Sequence, residues 1–244
     1  EVQREIVKVL DTFTELEAEL EAELEARRRQ YKYYRDALVL ACGEHPFRTA
    51  ALNEIGHFVR GKRFTKADYE DGGIPVIHYG EIYTRYGTFT DTVVSHVRPD
   101  MGPTLRYAKP GDVVITDVGE TVEDVGKAVA WIGNEEVGIH DHCFAFRHSL
   151  NPKFVSYYFQ TTAFHAEKNK FVARAKVKRL SGESIGKLAI PVPHLEEQER
   201  IVAILDKFDA LVNDLSSGLP AEIKARRQQY EHYRDRLLTF REAA

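Results

Sequence analysis

The chain has 244 residues, of which 43% are hydrophobic and 30% are charged, and its formal net charge at pH 7 is -4. This length and composition fit a globular protein of one large domain or two small ones. The two cysteines, Cys42 and Cys143, lie too far apart for a metal or redox motif. No apolar run approaches the ~18 residues of a membrane helix, so the sequence predicts a cytoplasmic protein without a signal peptide or membrane segment.

The first 40 residues predict one long amphipathic helix. They contain no Gly or Pro, and apolar side chains recur at helical spacing from Ile6 to Leu38. Such a helix is about 60 Å long at roughly 1.5 Å per residue, and it cannot bury its apolar stripe alone. The stretch "ELEAELEAELEA" at 15–26 repeats one four-residue unit, and its glutamates favour a solvent-exposed face.

A second helical arm repeats the phrases of the first. "IVAILDKF" at 201–208 matches "IVKVLDTF" at 6–13, and "RRQQYEHYRDRLL" at 226–238 matches "RRRQYKYYRDALV" at 27–39. Between its two phrases the second arm contains Gly218 and Pro220, which predict a break into two helices. We expect the arms to pair as a coiled coil, either parallel or antiparallel.

The residues between the arms change from helical to strand patterning. Short apolar runs bounded by Gly, Pro and Asp predict strands. These runs are "IPVIHY" at 74–79, "DVVITD" at 112–117, "AVAWI" at 128–132 and "HCFAF" at 142–146. Asn151 followed by proline predicts a helix over 151–168, and a shorter helix is expected near Ser181.

This pattern predicts an α+β protein in which one mixed α/β domain is flanked by two long helical arms. The predicted boundaries are 1–42 for the first arm, 43–193 for the domain and 194–244 for the second arm. "IPVP" at 190–193 closes the domain as an extended link into the second arm.

The chain lacks the motifs of common catalytic and cofactor sites. The segment from Gly119 to Lys127 has the wrong spacing for a phosphate-binding loop, and no Gly-x-Gly loop of a methyltransferase is present. The acidic stretch 112–136 lacks the carboxylate and lysine pair of a nuclease and favours a solvated or protein-facing surface. His140 and His142 would share one face of a strand, but without a second ligand cluster we expect hydrogen-bonded or ligand-reading histidines. The sequence predicts no catalytic residue, metal or cofactor.

Three stretches combine cations with aromatic or hydrogen-bonding side chains, which predicts nucleic-acid contacts. They are the basic run at 168–179, "GKRFTKADY" at 61–69 and "HYGEIYTRYG" at 78–87, the last two in loops bounded by glycine. The residues predicted to contact phosphates are Lys62, Arg63, Lys66, Lys168, Lys170, Arg174, Lys176, Lys178 and Arg179. The residues predicted to read bases or groove shape are Tyr79, Tyr83, Thr84, Arg85, Tyr86, Lys127, His140 and His142.

Several stretches resemble the specificity subunit of type I restriction–modification systems. They are "IPVPHLEEQERIVAILDKFDAL" at 190–211, "GLPAEIKARRQQYEHYRDRLLTF" at 218–240 and "GDVVITDVG" at 111–119. A complete subunit of that family has two target-recognition domains, joined by two helical regions that form an antiparallel coiled coil. The present chain shows one such domain, at 43–193, and therefore resembles a half-subunit.

The resemblance implies a bacterial defence protein that binds DNA without catalysis. Its expected partners are double-stranded DNA, a methyltransferase subunit that carries the methyl-donor cofactor, the restriction subunit reached through it, and a second copy of the chain. The repeated phrases are expected to dock partners through Arg28, Tyr31, Tyr34, Arg35, Arg227, Tyr230, Tyr233 and Arg234. The alternative is a coiled-coil scaffold whose middle domain binds protein through the acidic stretch 112–136.

Overall fold

A computed structural model describes residues 1–41, 46–172, 178–214 and 216–239. The chain divides into two compact units. The arm unit consists of Glu1–Tyr34 and Ala203–Ala244, and the middle unit is Arg35–Val202. The boundaries that the sequence suggests, after residues 42 and 193, fall inside this middle unit.

Helices and strands have the following bounds. The helices are α1 (Val2–Leu40), α2 (Leu52–Ile55), α3 (Tyr79–Thr84), α4 (Pro152–Tyr158), α5 (Thr162–Asn169), α6 (Gly182–Gly186), α7 (Leu195–Asn213) and α8 (Leu219–Leu238), with short 3-10 helices at Lys66–Asp68 and Pro99–Thr104. The strands are β1 (Thr49–Ala51), β2 (Gly56–Arg60), β3 (Tyr69–Ile77), β4 (Phe89–Thr90), β5 (Ser95–Val97), β6 (Tyr107–Ala108), β7 (Val113–Thr116), β8 (Val118–Gly119), β9 (Ala128–Trp131), β10 (Val137–Ile139), β11 (Cys143–His148), β12 (Lys178–Arg179) and β13 (Ala189–Pro191).

The strands of the middle unit form mixed sheets. A five-stranded sheet has the order β2-β11-β7-β9-β4, antiparallel except between β4 and β9, and a four-stranded sheet has the order β5-β3-β10-β6, with β3 and β10 parallel. Two smaller pairs join β1 to β13 and β8 to β12. Buried Val114, Val129 and Ala145 belong to a hydrophobic core between these strands. The mixed α/β domain with helical arms is thus confirmed.

The arm unit is an antiparallel pair of helical segments. The rings of Phe13 and Tyr233 stack with 5.5 Å between centroids, and those of Phe208 and Tyr34 stack at the same distance. The two phenylalanines match each other in the repeat, as do the two tyrosines, so the contacts are equivalent. The start of α1 therefore packs on the end of α8, which decides between the two orientations that the sequence leaves open.

The second arm breaks at the predicted place. α7 ends at Asn213, and α8 begins at Leu219 with Gly218 as its N-cap and Pro220 in its first turn. A Cβ atom on Gly218 would lie 2.4 Å from the carbonyl oxygen of Ala210. Only glycine fits this turn without displacing backbone.

The predicted helix over 151–168 is two helices. Asn151 caps α4 by accepting from the backbone N–H groups of the first turn, as its sequence context predicts. Thr161 then separates α4 from α5, because its hydroxyl donates to the carbonyl of Tyr158 at 2.8 Å and accepts from the N–H of Phe164 at 3.2 Å. The aromatic spacing does not reveal this interruption, since both helices bury the same kind of side chain.

Two further stretches depart from their predicted conformations. The stretch 78–87, expected to be a loop, contains α3, whose start His78 caps by accepting from the N–H of Gly80. His140 and His142 do not alternate on a strand, because they lie in the turn between β10 and β11. The helix that begins after Ser181 is present as predicted.

Candidate nucleic-acid interface

Several elements of the middle unit converge on a polar cleft of about 510 Å³. The cleft lies where β2 ends, where β3 passes into α3, at the turn between β10 and β11, and beside β12. Its lining residues are Arg60, Arg63, Phe64, Thr65, His78, Tyr79, His140, Asp141, His142 and Arg179. Three arginines and three histidines give this cleft the cations and hydrogen-bonding groups that suit a nucleic acid.

The segment after β2 is held close to the turn at 139–142. A Cβ atom on Gly61 would lie 2.0 Å from the carbonyl oxygen of His140, so no other residue fits there without a backbone shift. The next residue, Lys62, donates its backbone N–H to the carbonyl of Ile139 at 2.9 Å. Because the backbone is fixed at these points, the exposed side chains of Lys62 and Arg63 begin at a defined edge of the cleft.

The three histidines of the cleft lie next to one another. Ring centroids of His78 and His140 are 4.5 Å apart, and those of His140 and His142 are 5.4 Å apart. Burial, together with repulsion from the neighbouring His78, lowers the pKa of His140 to about 4. Burial also lowers the pKa of His78. At neutral pH His78 and His140 are therefore uncharged groups that can donate or accept hydrogen bonds.

Hydrogen bonds fix the orientation of these rings. Nε2 of His140 lies 3.1 Å from the carbonyl oxygen of Phe64, and its Nδ1 accepts from the backbone N–H of His142 at 3.1 Å. Tyr79 packs against the same group, with its ring centroid 4.3 Å from that of His78 and 5.3 Å from that of His142. The predicted readers Tyr79, His140 and His142 therefore belong to one cluster, which His78 completes.

Arg60 and Asp117 form an ion pair at the edge of this cluster. Nη2 of Arg60 lies 3.0 Å from Oδ2 of Asp117, whose side chain is only 5% exposed. Nδ1 of His142 lies 3.3 Å from the other carboxylate oxygen, and the guanidinium of Arg60 covers the ring of Phe144 at 5.3 Å. Sequence reasoning missed this pair because its members are 57 residues apart, with Arg60 just before the 61–69 stretch and Asp117 in the acidic stretch.

The remaining aromatic candidates have structural roles. The hydroxyl of Tyr83 donates to the carbonyl of Val118, and that of Tyr86 donates to buried Glu81 at 3.2 Å. Burial raises the pKa of both tyrosines. Their hydroxyls are used within the fold, which argues against the base reading predicted for them.

Other candidates on α3 and nearby lie at the surface. Thr84 is exposed and donates its hydroxyl to the carbonyl of Gly80 at 2.9 Å, and Arg85 is exposed at the end of α3. Lys127 pairs with Asp124 at 2.8 Å. None of these three predicted readers lines the polar cleft.

Lys168 does not occupy the surface position that a phosphate contact requires. Its side chain is fully buried, and its ammonium donates to the carbonyls of Val122 and Val125. Burial lowers its pKa to about 8. The basic run does not show this, since a lysine in α5 can face the interior while its neighbours face solvent.

The structure describes three of the other cations in the basic run. Lys170 is exposed and pairs with Glu167 at 2.5 Å, while Lys178 and Arg179 form β12 beside β8. Of these, Arg179 lines the cleft. Arg174 and Lys176 lie outside the described residues. Lys66, predicted with the 61–69 stretch, is exposed in a 3-10 helix.

The predicted docking residues are partly occupied by contacts within the chain. In the arm unit, buried Tyr31 donates to Asp209 at 3.1 Å, and Arg227 bonds Glu17 and Glu21 of α1. The remaining members of the predicted docking set differ in exposure. Tyr34 stacks on Phe208 and Tyr233 on Phe13, and the ring centroid of Tyr230 lies 6.4 Å from that of Phe13. Arg35 is buried, Arg28 is exposed and Arg234 is half-exposed.

The acidic stretch 112–136 is not uniformly a surface. Asp112 is buried and its carboxylate pairs with Arg147 at 2.9 Å, as Asp117 pairs with Arg60. Within the described ranges, no three histidine, cysteine or acidic side chains are placed to hold a metal ion. No helix in the described part of the chain is both long and apolar enough to cross a membrane.

A mixed α/β unit with a polar cleft lined by arginines and histidines, in a chain that also has a unit of antiparallel helical arms, is the arrangement expected of a DNA-specificity protein. Residues 45–225 match the family described as the type I restriction modification DNA specificity domain, and the chain belongs to that family. It is 32% identical over 98% of its length to the EcoR124I/EcoR124II specificity subunit of Escherichia coli, covering 59% of that protein. The resemblance predicted from the sequence is confirmed.

Other relatives differ in length. A putative type I specificity subunit of Mycoplasma pneumoniae is 27% identical, and the chain covers 92% of it. The crystal structure of the HsdS subunit from Thermoanaerobacter tengcongensis has the same fold with a TM-score of 0.64 at 19% identity, over 97% of this chain and 56% of that one. The chain thus spans about three fifths of the Escherichia coli protein and most of the mycoplasma protein.

Proposed function

We propose that the chain is a DNA-recognition subunit whose middle unit reads one part of a bipartite site in double-stranded DNA. It acts by binding, and the methyl-donor cofactor is held by a separate methyltransferase subunit, through which the restriction subunit joins. The observation that carries this proposal is the cleft that arginines, histidines and a tyrosine line together. Family membership supports the same reading.

The two kinds of side chain in the cleft suit two kinds of DNA contact. Exposed cations bind phosphates and contribute affinity without regard to sequence. Neutral imidazoles and a tyrosine hydroxyl can discriminate base edges, since each base pair presents its own donors and acceptors in the major groove. Arg63 and Arg179 are suited to phosphates, because within the described ranges neither forms an ion pair that DNA would have to break.

DNA binding by variants of these two arginines tests the proposal. Affinity is measured against salt for the chain with its methyltransferase partner, since the chain is acidic overall. Arg63→Ala and Arg179→Ala should each weaken binding to all sequences and reduce the slope of log K against log salt by about 0.9. Lys109→Ala is the matched control, because Lys109 is an exposed cation of the middle unit outside the cleft. Slopes equal to the control would remove the cleft from the DNA interface.

The repeated phrases supply a candidate surface for the methyltransferase. In the first copy, Arg35 holds Asp36, whose carboxylate accepts from the N–H and hydroxyl of Thr162 at the start of α5. In the second copy, Arg234 holds Asp235 with the same 2.9 Å contact, but Asp235 remains 68% exposed. The second pair is therefore a preformed group to which a helix N-terminus or hydroxyl of a partner can bind.

Co-purification with the methyltransferase subunit tests this surface. Asp235→Ala should reduce the amount recovered, whereas Lys207→Ala, an exposed change on α7, should not. Equal recovery of both variants would refute docking at Asp235. We also propose that two copies associate through their arms, and light scattering at tens of micromolar would show this as twice the mass of one chain.

A further inference from the structure

Arg60 combines a fixed position with an open hydrogen-bonding edge. We propose that Arg60 reads a guanine of the target site, with Asp117 as its positioning residue and Phe144 as its support. This inference rests on the proposed DNA-recognition function and extends it to one base. It uses a residue that is not among the DNA contacts predicted from the sequence.

The carboxylate of Asp117 anchors one side of the guanidinium. A carboxylate that is 5% exposed requires a cationic or hydrogen-bonding partner to offset its lost hydration. Nη2 of Arg60 supplies that partner at 3.0 Å. The backbone N–H of Asp117 donates to the carbonyl of His142 at 3.0 Å, which ties the anchor to the histidine cluster.

The strand and an aromatic ring restrain the rest of the side chain. Arg60 is the last residue of β2, and its backbone pairs with that of Phe144 on β11. The same Phe144 is 7% exposed and lies under the guanidinium at 5.3 Å. A side chain held at its base, face and one edge loses little conformational entropy when it binds a ligand.

The remaining edge faces the cleft. The Arg60 side chain is 50% exposed, and among the residues that the structure describes, its Nε and Nη1 donate no hydrogen bond. Nη2 carries a second N–H, which forms a pair of adjacent donors with the N–H of either Nε or Nη1. Such a pair matches the O6 and N7 acceptors of guanine, whereas adenine presents a donor in place of O6. The chemistry therefore favours guanine over the other bases at one position of the site.

Two simpler roles make different predictions. If Arg60 only neutralises Asp117, its replacement changes stability but not DNA preference. If Arg60 contacts a phosphate, its replacement weakens binding to every DNA sequence equally and lowers the salt dependence of binding. A guanine contact instead changes the preference at one base pair and leaves the others as they were.

The variant Arg60→Lys distinguishes these roles, because lysine keeps a cation beside Asp117 but loses the paired donors. The bipartite site is first identified as the sequence that is methylated when the chain is expressed with its methyltransferase. Binding of that complex is then compared for DNA carrying each base pair at every position. The control is Arg98→Lys, since Arg98 forms a similar half-exposed pair with Asp68 at 3.1 Å but lies outside the cleft.

We expect Arg60→Lys to lose on the order of 10-fold to 100-fold discrimination at one G·C pair only, while Arg98→Lys retains the full specificity. Equal weakening of all sequences, or an unchanged preference, overturns the guanine contact while leaving DNA recognition intact. Absence of sequence-specific binding by the unmodified complex refutes the proposed function itself.

A change in the DNA gives a test that does not depend on folding of a variant. Replacing the inferred guanine by 7-deazaguanine removes N7 and should weaken binding of the unmodified protein several-fold at that position only. The Arg60→Lys protein should show no further loss with this DNA. A full loss in both proteins would assign that guanine to another residue and overturn the inference.

Discussion

Lys168 offers a direct test of which cations of the middle unit face DNA. Its ammonium lies inside the unit and donates to two carbonyls of the segment before β9, those of Val122 and Val125. Lys168→Met keeps most of the side-chain volume and removes the charge. The change should alter stability in a pH-dependent way and leave DNA binding unaltered.

The magnitude follows from the pKa of Lys168. Burial lowers this pKa from 10.5 to about 8, so between these values the unfolded chain binds more protons than the folded chain. The free energy of unfolding therefore rises with pH across that window, by about 3 kcal/mol in total. The Met variant lacks this rise. At neutral pH the variant also leaves two buried carbonyls without a donor, at a cost of about 1 kcal/mol or more each.

Urea unfolding of both proteins between pH 7 and pH 10 measures this difference. The gap between the unmodified protein and Lys168→Met should widen as pH rises, and a constant gap would refute the buried lysine. A second measurement compares DNA binding by Lys168→Met with that by Lys170→Met, which changes an exposed lysine at the same end of α5. A reduced salt slope for the folded Lys168→Met protein would contradict the structure and restore the phosphate contact.

Further changes probe the arms, the start of α5 and the acid sensitivity of the fold. Phe13→Ala and Phe208→Ala should each cost about 1–2 kcal/mol of unfolding free energy because their stacks are equivalent; losses confined to one variant would contradict the repeat symmetry. Asp36→Ala removes an acceptor at the start of α5 and should cost about 1 kcal/mol, seen as faster amide hydrogen exchange in that helix. Burial lowers the pKa of His148 to about 4, so the unfolded chain binds more protons below pH 6.5 and stability falls as pH drops toward 4. His148→Gln should flatten this acid dependence in urea titrations.

The arms could be predicted from sequence because their determinants are local. Helical spacing, the absence of Gly and Pro before residue 41, and the break at Gly218 each act within a few residues of chain. The repeat added a long-range constraint, since two copies of one phrase can form two equivalent contacts. The orientation of pairing still required the structure, because both directions bury the same apolar stripe.

The cleft was predictable only in part. Arg63, Tyr79 and Arg179 stand in stretches whose composition suggests nucleic-acid contacts. His140 and His142 were predicted as ligand-reading histidines, and all five residues line the cleft. Composition does not indicate which face of a short helix or turn a side chain occupies. Lys168 was therefore predicted as a surface cation. The ion pair of Arg60 and Asp117 could not be predicted, because it depends on the pairing of distant strands.

The repeated Tyr–Arg–Asp phrase illustrates how one sequence pattern can serve two purposes. Tyr34 and Tyr233 make the same stacking contact within the arm unit, so pairing of the arms is sufficient to explain why the tyrosines recur. The Arg–Asp pairs recur with the same internal geometry but different surroundings, since Asp36 is bound to Thr162 and Asp235 is exposed. Pairing of the arms does not require the second aspartate. The proposed docking surface gives this aspartate a role, and this makes Asp235→Ala the most informative change in the arms.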